Sequence, residues 1–105
     1  MGKSKVTQAL EAEFDQNRLL QGEDPESQDP QDIRHWIKVY QELVDFKERL
    51  IATAVETLHE AIETDASREI ASTDLVTLRA EHQRLRYRLD FWERKAAKLE
   101  RAKRD

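Results

Sequence analysis

Two seven-residue apolar repeats constrain this chain more than any other feature. The first reads Ile33, Ile37, Tyr40, Val44, Lys47, Ile51, Ala54, Leu58 and Ala61. The second reads Ala71, Leu75, Leu78, His82, Leu85, Leu89, Trp92, Ala96 and Leu99. Both alternate steps of four and three residues, the spacing that holds one seam of an α-helix against a partner. No glycine or proline occurs between residue 31 and residue 105. Ala, Glu, Lys, Leu and Arg make up about half of the chain, the composition of long helices and coiled coils.

The polar stretch Glu63–Thr73 separates the repeats and predicts a turn. Thr64, Asp65, Ser67, Ser72 and Thr73 all qualify as N-caps for the second helix. The expected fold class is therefore all-α: a long antiparallel, coiled-coil-like hairpin spanning residues 30–105. A turn centred near Ala66 keeps both seams in register, with Ile51 facing His82 and Tyr40 facing Trp92. Asp29 is the expected cap of the first helix, with Pro30 at its first position.

Residues 1–20 read as a tail or a short helix with Val6, Leu10 and Phe14 on one face. Residues 21–29 hold Gly22 and Pro25 among acids, and Pro30 comes directly after. They read as a linker. Residues 21–32 contain five acids and no base. On this reading residues 1–29 are dispensable for folding.

Apolar residues also spill outside the first seam at Trp36, Val39, Leu43, Phe46 and Leu50, and outside the second at Val76, Ala80, Tyr87 and Phe91. One neighbouring helix cannot cover so wide a face. The expected partner or dimer interface is Trp36, Val39, Tyr40, Leu43, Phe46, Leu50, Tyr87, Phe91 and Trp92, with a second copy or a short N-terminal helix completing a bundle. Aromatic anchors suit such a role. The functional expectation is a non-enzymatic protein–protein interaction module, a small helical adaptor or regulator.

Other chemistries have thinner support. The chain has no cysteine, no Gly-rich phosphate loop and no serine flanked by glycines, so no enzyme and no cofactor are expected. Glu56 and His59 have the Glu-x-x-His spacing of carboxylate-bridged metal bundles, but Glu56 points away from the seam, and no metal site is expected. A metal-binding hairpin assembling a four-helix site is the minor alternative. Arg84, Arg86 and Arg88 flank Tyr87, but only Arg84 and Arg88 share a helix face, and nearby Glu81 and Asp90 favour internal pairing over nucleic acid. The leading alternative is a transcription-associated regulator using this basic arm or the acidic turn. No apolar run reaches the length of a membrane span, and no secretory signal begins the chain, so the expected location is cytoplasmic.

Overall fold

The computed structural model describes residues 15–60 and 64–104. It contains two α-helices, α1 (Pro30–Glu60) and α2 (Asp65–Arg104), packed along each other as an antiparallel hairpin with no strand among the described residues. Both helices begin where local chemistry satisfies their free N–H groups. At α1 the Asp29 carboxylate accepts from the Gln31 N–H at 2.9 Å, and the Ile33 N–H bonds the Asp29 carbonyl at 3.1 Å. Pro30 occupies the first position, where a missing N–H costs nothing. At α2 the Thr64 hydroxyl accepts from the Ser67 N–H at 3.0 Å.

The seams form as the repeat predicts. Every described seam residue is buried or half-buried. The register, however, differs by about one helical turn. His82 meets Glu48 at 3.1 Å rather than lying opposite Ile51, and Lys47 forms an ion pair with Glu81. The reason is the choice among competing caps: Thr64, the earliest of them, starts α2, and this draws the whole second arm back along the first. His82 and Lys47 are thus polar seam members tied to acidic side chains of the facing helix.

The core is concentrated at the open end of the hairpin. Ile33, Tyr40 and Val44 of α1 pack with Leu85, Leu89 and Trp92 of α2, and Leu20, Trp36, Leu43 and Phe91 pack around them. A hairpin alone has only two layers, too few to enclose a core of this width. The third layer is the segment that composition marks as a linker. It is a strap folded onto the hairpin, with Leu20 against the core and Glu23 buried. Residues 15–20 are turn and irregular chain rather than helix, and the Arg18 N–H bonds the Asp15 carbonyl at 3.1 Å. The rest of the expected N-terminal helix, including Val6, Leu10 and Phe14, lies outside the described residues.

Candidate functional site

The site at the open end starts with a tight turn. The Glu23 N–H bonds the Leu20 carbonyl at 3.1 Å, and Gly22 sits between them at φ +84°. A β-turn with positive φ at its third residue favours glycine, because a side chain there strains the backbone. The turn aims the Glu23 carboxylate back into the hairpin.

Four donors meet that carboxylate. Oε1 accepts from the Tyr40 hydroxyl at 2.5 Å and from the Leu20 N–H at 2.9 Å. Oε2 accepts from Arg88 Nη2 at 2.8 Å and from Trp92 Nε1 at 2.7 Å. The Glu23 side chain is fully enclosed, and that of Arg88 is 5% exposed. Burial alone would raise the carboxyl pKa, but the hydrogen bonds from Tyr40, Arg88, Leu20 and Trp92 outweigh it and hold Glu23 below its ordinary value. The same burial, together with the adjacent Glu23 charge, pushes the Tyr40 phenol far above its usual range. At neutral pH the cluster is a carboxylate, a guanidinium and two neutral donors.

Aromatic contacts extend the site outward. Phe91 meets Trp92 edge-on at a centroid distance of 5.3 Å, and the Arg88 guanidinium lies 4.4 Å from the Phe91 centroid. Lys95 Nζ donates to the Pro25 carbonyl at 2.5 Å and sits 5.5 Å from the Trp92 ring centroid. Beyond them the strap and α2 enclose an open groove of about 420 Å³. Pro25 and Glu26 line its strap side, and Tyr87, Phe91, Arg94 and Lys98 line its α2 side.

The residues expected to form an interface divide into three groups. Tyr40 and Trp92 are 0% exposed, which corrects their placement on a surface. Each carries one polar hydrogen into an apolar seam, and each spends it on Glu23. Trp36, Val39, Leu43, Leu50 and Phe91 are half-buried. Phe46 and Tyr87 stand out at 49% and 42% exposure. Of the three arginines around Tyr87, Arg84 and Arg88 are buried and Arg86 is exposed. Glu56 and His59 are both exposed on α1, and no group of three or more His, Cys, Asp or Glu among the described residues is placed to hold a metal ion. Among the described residues no helix is long and apolar enough to cross a membrane.

Glu23 is the residue that the sequence reading missed. One signal pointed to it: a seam containing both a tyrosine and a tryptophan has two donors needing a buried acceptor, and neither helix supplies one. No protein-family model, no curated protein and no solved structure matches this chain. Its class therefore rests on fold and site: an all-α helical hairpin whose open end is closed by a strap through a buried carboxylate.

Proposed function

We propose that this chain is a non-enzymatic protein–protein interaction module that binds its partner at the open end of the hairpin. The observation that carries this reading is the groove between strap and α2, where the exposed ring of Tyr87 and the half-buried ring of Phe91 lie beside Arg94, Lys95 and Lys98. Aromatic anchors on a rigid backing are what protein recognition sites use, because they bury much area at small entropic cost. The backing here is α2, fixed by the enclosed core behind Phe91 and Trp92.

The test is a photo-crosslinking amino acid at Tyr87, with a second protein carrying it at exposed Ala52 as control, each expressed in the native host. The expected result is a discrete crosslinked protein from position 87 and none from position 52. Identical crosslinking patterns from the two positions would overturn the proposal.

A further inference from the structure

We propose that Tyr40, Arg88 and Trp92 form a carboxylate receptor, that the strap occupies it as a built-in competitor, and that the true occupant is an acidic peptide of a partner protein. This rests on the reading of the chain as an interaction module and specifies the partner's chemistry. The partner segment presents a glutamate that takes the place of Glu23, with a second acid three residues further on, as Glu26 stands to Glu23.

Three observations carry the inference. First, the receptor belongs entirely to the hairpin. Tyr40 comes from α1 and Arg88 and Trp92 from α2, each less than a tenth exposed, and all three donate to the same carboxylate. Only the carboxylate comes from outside. Buried donors converging on one point remain a recognition site for any carboxylate that can reach them.

Second, the strap fills the receptor incompletely. The Nε and Nη2 hydrogens of a guanidinium form one fork, shaped for both oxygens of a carboxylate. Glu23 engages Nη2, while Arg88 Nε is buried with no hydrogen-bond partner among the described residues. The second oxygen of Glu23 is turned to Tyr40 and Leu20 instead. A carboxylate free of the Leu20–Glu23 turn can take both prongs of the fork. The strap is thus a ligand that another can outbid.

Third, charge continues from the receptor into the groove. The strap carries five acids and no base over residues 21–32, and the α2 wall opposite Glu26 carries Lys95 and Lys98, with Arg94 beside them paired to Asp90 at 2.9 Å. Lys95 already holds a strap carbonyl. A second acid on the incoming peptide faces this wall, while Tyr87 and Phe91 provide the apolar floor.

The experiment uses the full chain and a fluorescein-labelled synthetic peptide with the sequence of residues 19–29. Binding is read by anisotropy against the wild type, Glu23→Ala and Glu23→Gln, with helicity followed by circular dichroism. The cis strap competes at the high effective concentration of a short tether, so removing its carboxylate is expected to tighten peptide binding by about tenfold or more. Replacing the glutamate of the peptide by glutamine is expected to abolish that gain. Should Glu23→Ala lose helicity, recovery of helicity on adding the peptide supports the proposal equally, and Glu23→Gln keeps the shape of the strap for direct titration. The proposal is overturned if no variant binds the peptide at about 1 mM, the effective concentration of a short tether, or if the glutamate and glutamine peptides bind alike. A wild-type dimer that dissociates when Glu23 is replaced would overturn it in favour of strap exchange between two copies. A crosslinked partner at Tyr87 without peptide binding would refute the receptor and leave the interaction module standing.

Discussion

Replacing Glu23 by alanine should destabilise the protein far more than any other change in the strap. The substitution removes the acceptor of four hydrogen bonds, three from buried side chains. Arg88 then holds its charge at 5% side-chain exposure with its carboxylate gone. Breaking a buried ion pair from one side costs about 3–5 kcal/mol, and an orphaned buried donor such as Tyr40 Oη or Trp92 Nε1 costs about 1–3 kcal/mol. These costs do not add in full, because the strap can lift and admit water to all three donors. The expected loss is therefore about 3–5 kcal/mol, capped by the free energy of strap opening. Urea melts followed by circular dichroism measure it, with Glu26→Ala, a strap residue outside the carboxylate cluster, as a control expected to stay within about 0.5 kcal/mol. A double-mutant cycle with Arg88→Met isolates the pair, and the double variant should recover part of the loss. If Glu23→Ala melts within about 0.5 kcal/mol of the wild type, the carboxylate is not what holds the strap.

Leu85 is 2% exposed while Arg86 lies on the solvent side, so Leu85→Ala should cost about 2–5 kcal/mol in urea melts and Arg86→Ala almost nothing. Gly22→Ala meets no atom within 4 Å but keeps a φ of +84°, so its cost is backbone strain of about 1 kcal/mol, seen as a small drop in melting temperature with the helical spectrum intact. Acid should loosen the strap. The Glu23 carboxyl has a folded-state pKa below its unfolded value, so its contribution is complete above the ordinary carboxyl pKa and is lost as pH falls through the folded one. The stability gap between wild type and Glu23→Gln, from urea melts at a series of pH values, should narrow as pH falls below about 4. Tyr40 works in the opposite sense: its pKa is raised by burial and by Glu23, so its contribution holds below about pH 10 and fades above it.

The hairpin was legible in the sequence because its cause is local and repeated. Steps of three and four placed Ile33, Val44, Leu85 and Leu89 on facing seams, and Asp29 with Pro30 marked the start of the first helix. The register was not legible, because several caps of similar strength compete between Thr64 and Thr73, and sliding α2 by one turn preserves a heptad seam. The closing of the open end was hidden for another reason. Glu23 sits among four other acids in a glycine- and proline-containing run, and composition gives each acid the same solvated reading. What distinguishes it is the local turn at Gly22 and the donors of Tyr40 and Trp92, and their meeting joins parts of the chain up to 69 residues apart. Tyr40 and Trp92 were legible as seam residues, but what their polar hydrogens bind was not, because the acceptor lies outside the repeat.

The separation between Glu23 and its partners also dictates an order of assembly. The hairpin forms from neighbours along the chain, but the strap closes across 65 residues to Arg88 and 69 residues to Trp92. Once the hairpin has brought α2 beside Tyr40, the loop left to close is only the 17 residues from Glu23 to Tyr40, a small entropic cost. On the ribosome the strap is therefore made first and docked last. At roughly 5–20 residues per second, it waits several seconds for α2 to be synthesised, with its carboxylate free in water. Until α2 has emerged, neither Arg88 nor Trp92 is there to receive it.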